Sequence, residues 1–390
     1  MHRITLLLLL TLLLPDVYIY FTYIVRRTRN TLLRLSYWVP TILLSLLYVW
    51  FIYLTGDNAM SHHALGIGRL AIAIMLFATP KTLFMLCSLT GNLLHALVRV
   101  CPRRPFTLLG IGLSVASFGC IAYGSFWGIT RFEVKEVEYA SPRLPQGFDG
   151  YRIVQLSDIH IGSWQGNPKP IEELVELANG QGADLIVFTG DLVNQQSHEL
   201  DAFQNILARL HAPDGVYSVL GNHDYGSYYH WKNSGEEVAN LQYLIHRQEA
   251  MGWQMLNNAH VVLHHGEDSI ALVGVENDGE PPFSQYADLP HALQGTDGMF
   301  KLLLSHNPTH WRREVLPESD VDLMLAGHTH AMQGILFGRS LAELKYPEWR
   351  GMYQDKDGRA LYVNIGIGYV GLPFRFGAWP EITVITLRKK

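Results

Sequence analysis

Four long apolar stretches near the N-terminus constrain this chain more than any other feature of its sequence. They cover approximately residues 4–25, 37–54, 65–89 and 106–127. A helix needs about 20 mostly apolar residues to cross a bilayer, and each stretch is close to that length. The first is too long for a secretory signal, and arginines follow it instead of a small-residue cleavage site. We therefore predict a four-helix transmembrane region over residues 1–130, with the lipid bilayer as its partner.

The charged residues divide the chain at the same place. Residues 1–130 contain two acidic and ten basic residues, whereas the remaining residues contain 33 acidic and 20 basic ones. The acidic part is long enough to bury its own core. Nucleic acids are bound by basic surfaces, so no nucleic-acid partner is expected. All three cysteines lie in the apolar part, which excludes a disulfide framework or a cysteine zinc site in the rest.

The charges of the loops predict an orientation in the membrane. The loops after the first and third stretches are basic, and the loop after the second has only Asp57 and, near its end, Arg69. The basic residues of the two basic loops are Arg26, Arg27, Arg29 and Arg34, and Arg99, Arg103 and Arg104. Basic loops stay in the cytoplasm. We expect a multi-pass protein of the cell membrane whose C-terminal domain is extracytoplasmic.

Lys81 follows Pro80 inside the third apolar stretch and allows two interpretations. A charge within the membrane often marks a functional site. Alternatively, the helix ends near Pro80 and the lysine extends to the membrane surface. The second interpretation is favoured here.

The rest of the chain is predicted to be a linker, residues 131–150, in which the stretch FEVKEVEY is strand-like, followed by a domain over residues 151–390. In that domain, short runs rich in Val, Ile and Leu each end in a polar cluster, which is typical of buried strands. The runs are residues 152–156, 185–188, 216–220, 301–304 and 322–325. Amphipathic segments lie between some of them. The expected fold is α/β, with face-to-face sheets and helices outside.

The polar clusters contain the side chains of a metal site. Asp158 and His160 are two residues apart, as are His328 and His330, so on extended chain each pair faces one side. Asp191, Asn222 and His306 follow other runs, and ligands in α/β sheets bind beyond the strand ends. These side chains provide three or four ligands for each of two divalent ions that share the Asp191 carboxylate. Two ions about 3.5–4 Å apart form the recurring arrangement for phosphoryl displacement.

His223 remains available for catalysis. It can contact a phosphate oxygen or protonate the leaving alcohol. Its neighbour Asp224 either orients the His223 ring by accepting its other proton or caps a local turn. Tyr228 and Tyr229 either contact the substrate or dock a loop onto the core or the bilayer.

The ordered series SDIH, GD, GNHD, SHN and GHTH resembles the calcineurin-like metallophosphoesterase superfamily over roughly residues 150–390. It is most similar to the membrane-associated branch, which includes cell-wall phosphoesterases and enzymes that cleave UDP-diacylglucosamine. The resemblance implies a four-layer α/β/β/α sandwich. It also implies that Asp158, His160, Asp191 and His330 hold one ion, that Asp191, Asn222, His306 and His328 hold the other, and that His223 is the catalytic histidine.

The sequence departs from that pattern at two places. Asn194 replaces a second aspartate common in relatives, and Ala331 and Met332 replace two glycines. Arg375, in the closing motif, either binds phosphate or has a structural role, with the structural role slightly favoured.

The expected function is hydrolysis of a phosphoester or pyrophosphate by a metal-activated water, on a lipid-linked or cell-envelope substrate. The ligand types fit Mn, Fe or Zn. The alternative is a non-catalytic scaffold whose membrane helices bind lipid or a partner. The sequence predicts no particular oligomeric state.

Overall fold

The computed structural model describes residues 2–54 and 63–390. The loop between the second and third apolar stretches, with Asp57, lies outside the described residues. The chain divides into two compact units, one formed mainly by residues 1–127 and the other by residues 128–370 and 375–390.

The first unit is helical throughout its regular structure. Its helices are α1 (His2–Ile19), α2 (Val25–Arg27), α3 (Thr31–Ser36), α4 (Val39–Leu54), α5 (Ala64–Leu97) and α6 (Arg104–Phe126). A π-helical turn over Tyr20–Ile24 joins α1 to α2. Among the described residues, four helical segments are long and apolar enough to cross a membrane: Leu9–Arg27, Thr31–Phe51, Leu65–Leu97 and Arg104–Thr130. The length and composition of these helices confirm the predicted four-helix transmembrane region.

The favoured interpretation of Lys81 is wrong. Helix α5 continues through Pro80 to Leu97, and the Lys81 ammonium lies 2.6 Å from a carboxylate oxygen of Asp16, which is fully buried. The hydroxyls of Tyr37 and Thr41 donate to the same carboxylate. A charge inside a bundle is tolerated when it is paired in this way, so the lysine pairs within the helices instead of reaching the surface.

The second unit contains two six-stranded sheets. Its strands are β1 (Glu133–Ser141), β2 (Arg152–Leu156), β3 (Leu185–Phe188), β4 (Val216–Ser218), β5 (Trp253–Met255), β6 (Ala259–His265), β7 (Asp268–Gly274), β8 (Phe300–Leu304), β9 (Leu323–Ala326), β10 (Gly351–Gln354), β11 (Ala360–Val363) and β12 (Glu381–Lys389). One sheet has the order β1-β12-β2-β3-β4-β5 and the other β10-β11-β9-β8-β7-β6. Strands β2 to β5 are parallel to one another, and so are β7, β8, β9 and β11.

Helices cover the outer faces of this sandwich. They are α7 (Lys169–Asn179), α8 (Gln204–Leu207), α9 (Ser234–Ala250), α10 (Leu289–Ala292) and α11 (Leu316–Glu318). Helix α7 begins at Lys169 with Pro170 in its first turn, and it buries Ile171, Leu174, Val175 and Ala178, the spacing of one helical face.

Strand β3 shows how the layers form. Leu185 and Val187 belong to the core between the two sheets, whereas Ile186 and Phe188 belong to the core beneath α7. Successive strand residues point to opposite faces of the sheet, so a strand that is apolar at every position packs into a hydrophobic core on each face. The expected four-layer α/β/β/α sandwich is confirmed.

The strand-like stretch of the predicted linker, residues 131–150, belongs to the first sheet. Strand β1 lies in this segment and pairs in parallel with β12 over the whole of Glu133–Ser141. The first sheet therefore includes residues that the sequence analysis assigns to a linker.

Candidate metal centre

Six of the seven predicted ligands, together with His223, form three overlapping groups beyond the carboxyl ends of the parallel strands. Within each group the candidate ligand atoms lie within 4.8 Å of one another. The groups are Asp158, His160 and His330; His160, Asp191 and His223; and Asp191, His306 and His328. Both sheets contribute, because Asp158 and Asp191 follow β2 and β3 whereas His306 and His328 follow β8 and β9.

The Asp191 carboxylate lies between the two halves of this cluster. The same oxygen, Oδ2, is 3.6 Å from Nε2 of His160 and 3.2 Å from Nε2 of His306. On one side, Nε2 of His330 is 3.1 Å from both Asp158 Oδ1 and His160 Nε2. Oδ2 of Asp191 is therefore close to an imidazole of each half of the cluster.

Asn222 adds a neutral oxygen. Its amide nitrogen donates to the Tyr228 hydroxyl at 2.9 Å, but its buried Oδ1 has no hydrogen-bond partner among the described residues. Buried acceptors in folded proteins almost always have a partner. A cation would satisfy this oxygen, and the mixture of carboxylate, imidazole and amide donors suits a divalent transition metal.

The backbone at the ligands is in an uncommon conformation. Asp158, His160, Asp191, His328 and His330 all have positive φ angles, between 46° and 74°. Each such residue costs on the order of 1–3 kcal/mol, and such strain persists only where the surroundings enforce it. Close approach of the loops enforces it here: a Cβ at Gly221 would lie 2.2 Å from a carboxylate oxygen of Asp191.

Hydrogen bonds from outside the cluster fix the rings of the histidines. Nδ1 of His306 is 2.7 Å from the Thr189 carbonyl oxygen, and Nε2 of His328 is 3.0 Å from the Tyr346 hydroxyl. Each contact leaves the other ring nitrogen facing the cluster. Such partners set the tautomer and orientation of a metal-binding histidine.

The electrostatic balance of the cluster depends on its carboxylates. Burial disfavours the charged form of His306, but the adjacent Asp191 carboxylate outweighs it and raises the pKa of His306 to about 9. Burial, together with the charge of His306, lowers the pKa of His328 to about 3. Burial opposes ionisation of Asp158 and Asp191, but the neighbouring imidazoles outweigh it and hold the pKa of both carboxyls below the usual range, so both side chains are negatively charged and suited to a cation.

His223 is oriented by a backbone group, not by its neighbour. Its Nδ1 lies 2.6 Å from the Asn194 carbonyl oxygen, and its backbone N–H donates to Asp191 Oδ1 at 2.8 Å. The Asp224 carboxylate instead accepts four backbone N–H bonds, from Gly221, Asp191, Leu192 and Val193. The expectation that Asp224 orients the His223 ring is wrong; Asp224 joins the two ligand loops.

The two tyrosines have different surroundings. The Tyr228 ring packs on the His223 ring with a centroid distance of 4.3 Å, which places it at the site. Tyr229 packs on Trp231 instead, with a centroid distance of 4.6 Å, and no contact described for it reaches the cluster.

Arg375 is held behind the metal centre by protein groups. It is fully buried, and its guanidinium donates to the carbonyls of Gly368, Ala378 and Ile365 and to Nδ1 of His330 at 2.9 Å. These contacts support the structural role that the sequence slightly favours: the Arg375 guanidinium holds the His330 ring in place through Nδ1.

Sequence reasoning missed several supporting groups. Tyr346, Thr189 and the Asn194 carbonyl have no motif of their own and come from irregular segments. Glu199 is also one of them: its carboxylate accepts the backbone N–H groups of residues 194–196, the segment that orients His223. The spacing of Gln196 and Glu199 is that of a capping box, the one signal that was present.

Ala331 and Met332, which stand where many relatives have glycines, have φ angles of 47° and 43°. Glycine adopts such angles at no steric cost, so the departure from the pattern leaves strained backbone directly after His330.

Carboxylate, imidazole and amide side chains gather at the strand ends of a two-sheet α/β sandwich. This combination of fold and site defines a class, the metal-binding phosphoesterases. Family models match in both parts of the chain. Residues 151–332 match the calcineurin-like phosphoesterase family, and residues 2–129 match a family described as the probable calcineurin-like phosphoesterase transmembrane domain.

Two relatives illustrate the match. The chain is 32% identical over 304 residues to the uncharacterized metallophosphoesterase YkuE of Bacillus subtilis, covering 73% of this chain and 97% of that one. It is 33% identical over 267 residues to a Danio rerio transmembrane protein with metallophosphoesterase domain, covering 66% of this chain but only 57% of the relative. The chain belongs to the calcineurin-like metallophosphoesterase family.

Solved structures give weaker matches. A dimetal phosphatase from Danio rerio is 14% identical, with a TM-score of 0.33, over 56% of this chain and 88% of that one.

Proposed function

We propose that the chain is a divalent-metal-dependent phosphohydrolase that cleaves a phosphoester or pyrophosphate bond with water. The observation that carries this proposal is the position of Asp191 Oδ2 between the imidazoles of His160 and His306. A carboxylate oxygen shared in this way is what two neighbouring ions require. When bound, a pair of divalent ions supplies a nucleophilic hydroxide and neutralises charge on the phosphoryl oxygens.

The proposed ligands follow the two halves of the cluster. Asp158, His160, Asp191 and His330 would hold one ion, and Asp191, Asn222, His306 and His328 the other. The unpaired Asn222 oxygen supports its inclusion. Mn, Fe and Zn all suit this donor set.

His223 is the proposed catalytic group outside the ligand set. Its Nδ1–H donates to the Asn194 carbonyl, which orients the ring and leaves Nε2 available to reach a phosphate oxygen or the leaving group. The Tyr228 ring that packs on it limits its movement and forms a wall of the same site.

The proposed substrate is a phosphorylated lipid or a lipid-linked component of the cell envelope, in keeping with the membrane-associated branch that the motifs resemble. The membrane helices support this, because they keep the site near a bilayer. We further propose that the sandwich is extracytoplasmic, since the basic loops are expected in the cytoplasm.

The experiment is hydrolysis by the purified full chain loaded with Mn²⁺ or Zn²⁺. A chromogenic phosphodiester, the matching monoester and a nucleoside-diphosphate-linked lipid are offered in parallel, so that the preferred substrate separates diesterase, monoesterase and pyrophosphatase. We expect metal-dependent turnover that Asp191→Ala abolishes and that Asp297→Ala, at an exposed aspartate, leaves unchanged. A folded chain that retains no metal and turns over none of these would establish the non-catalytic scaffold instead.

A further inference from the structure

An exposed row of large apolar side chains follows the last histidine of the cluster. We call residues 332–344 the apolar segment. Its exposed apolar residues, with their exposed fractions, are Met332 58%, Leu336 58%, Phe337 95%, Leu341 69% and Leu344 86%. Single exposed apolar residues are ordinary on protein surfaces, but a contiguous group usually marks a binding surface.

The tip of the apolar segment holds its aromatic residue in a strained conformation. Leu336 and Arg339 exchange backbone hydrogen bonds of 2.9 and 3.1 Å, which closes a two-residue turn over Phe337 and Gly338. Both turn residues have positive φ, 52° and 79°. Asn or Gly is the usual first residue of such a turn. A phenylalanine there adds strain and exposes a large ring to water, so local folding gives no reason for its presence.

The rest of the apolar segment is well held, so its side chains are presented in a fixed arrangement. A short 3₁₀ helix, Leu341–Leu344, is closed by a capping box between Ser340 and Glu343. The Ser340 hydroxyl also donates to the Ala331 carbonyl at 2.6 Å, which ties the start and middle of the segment together.

Cationic side chains border the apolar residues. Arg339 has a side chain that is 81% exposed and pairs with Glu343. Lys345 is exposed, with its ammonium 5.1 Å from the centre of the Phe283 ring, and Arg350 lies over the Trp349 ring. Exposed apolar side chains bordered by Lys and Arg are typical of surfaces that lie in the interface of a bilayer.

The apolar segment is continuous with the metal centre at both ends. It begins two residues after His330, and two residues beyond its end the Tyr346 hydroxyl meets Nε2 of His328 at 3.0 Å. The Phe283 ring beneath Lys345 also contacts the His328 ring edge-on, with a centroid distance of 4.7 Å. Anything that covers the apolar segment therefore lies beside the metal centre.

We propose that the apolar segment docks the sandwich on the surface of a lipid bilayer, with Phe337 and Leu344 inserted among the lipids. A bilayer is the occupant that the chain itself supplies, because its four apolar helices keep the sandwich next to one. Docking by this surface would present lipid headgroups to the metal centre. That consequence rests on the proposed function, whereas docking itself does not.

The test uses the full chain in nanodiscs of phosphatidylcholine and phosphatidylglycerol, with one chain per disc. All three native cysteines lie in the helical unit, Cys87 and Cys120 in its helices and Cys101 between α5 and α6, so they are first replaced by alanine. A polarity-sensitive fluorophore is then attached at Phe337→Cys or Leu344→Cys and, as a control, at Glu173→Cys on the outer helix α7. We expect shorter-wavelength emission and quenching by spin-labelled lipids at 337 and 344 but not at 173.

Emission from 337 and 344 that matches the control would overturn docking. A shift of the emission that appears only in discs holding two chains would also overturn docking, because the apolar segment would then bind a second copy of the chain instead of lipid.

A kinetic arm connects docking to the substrate. In Phe337→Ser/Leu344→Ser, we expect the apparent KM for a bilayer-embedded substrate to rise about tenfold or more, as lost apolar burial dictates. Turnover of the soluble chromogenic ester should stay unchanged. Equal loss on both substrates would contradict the inference. If the labels at 337 and 344 report a lipid environment but the chain hydrolyses no substrate, docking is upheld and the proposed function is refuted.

Discussion

At the scale of single residues, the metal centre combines features that would each be unfavourable without a cation. Five proposed ligands lie in left-handed backbone, and the Asn222 oxygen is buried without a partner among the described residues. The sequence motifs predicted which side chains come together, because each follows a strand whose carboxyl end lies at the same edge of the sandwich. The expectation that DxH and HxH face one side on extended chain is wrong, because these residues have positive φ. The motifs could not predict Tyr346 or the Asn194 carbonyl, which reach the histidines through irregular segments.

His223 provides the first residue-scale prediction. His223→Asn should lower kcat by about 100- to 10,000-fold, the usual contribution of a general acid or base, while the bound metal stays constant. Steady-state kinetics and metal analysis of the same preparation measure both. His198→Asn, at an exposed histidine outside the cluster, is the control. Loss of metal in parallel with activity would show that His223 is a ligand instead.

Glu199 provides a prediction about pH. Burial outweighs its backbone hydrogen bonds and raises the pKa of its carboxyl from 4.5 to about 7. A raised acid pKa means that the folded state holds the proton more tightly. The resulting stabilisation is fully present below pH 4.5 and is lost as pH rises through 7.

Glu199→Gln removes this dependence. Between pH 4.5 and 8 the free energy of unfolding of the wild type should fall relative to the variant by about 3 kcal/mol. Denaturant unfolding in micelles at several pH values measures the difference. A difference that does not change with pH would mean that the carboxyl titrates normally.

At the scale of elements, the apolar runs predicted strands β2, β3, β4, β8 and β9, because each strand buries faces that its own sequence defines. The environment of Lys81 and the pairing of β1 could not be predicted, because the partner that decides each lies far away in sequence. Asp16 on α1 compensates Lys81, and β12 at the end of the chain gives β1 its pairing. Local sequence does not reveal such partners.

The buried ion pair of the helical unit yields an element-scale prediction. Lys81→Met should destabilise the bundle by about 3–5 kcal/mol, because it leaves the Asp16 carboxylate buried without its cation. Asp16→Asn/Lys81→Met should regain most of that loss. Thermal unfolding of the three chains in micelles provides the comparison. Equal stability of Lys81→Met and the wild type would show that the pair contributes nothing to packing.

At the scale of the whole molecule, the uneven distribution of charge separates a membrane part from an acidic sandwich. The division into two units follows that boundary closely. The basic loops predict the side of the membrane on which the sandwich lies. In intact cells, a membrane-impermeant maleimide should label Glu173→Cys in the cysteine-free chain. Labelling that requires permeabilised cells would place the sandwich in the cytoplasm and reverse the orientation.

The central claim is that two ions share the Asp191 carboxylate. Electron paramagnetic resonance of the full chain loaded with Mn²⁺ tests it most directly, because ions that share a ligand are magnetically coupled. We expect two bound Mn²⁺ per chain and a coupled spectrum that Asp191→Asn converts to that of isolated ions. A single uncoupled Mn²⁺ in the wild type would contradict the claim.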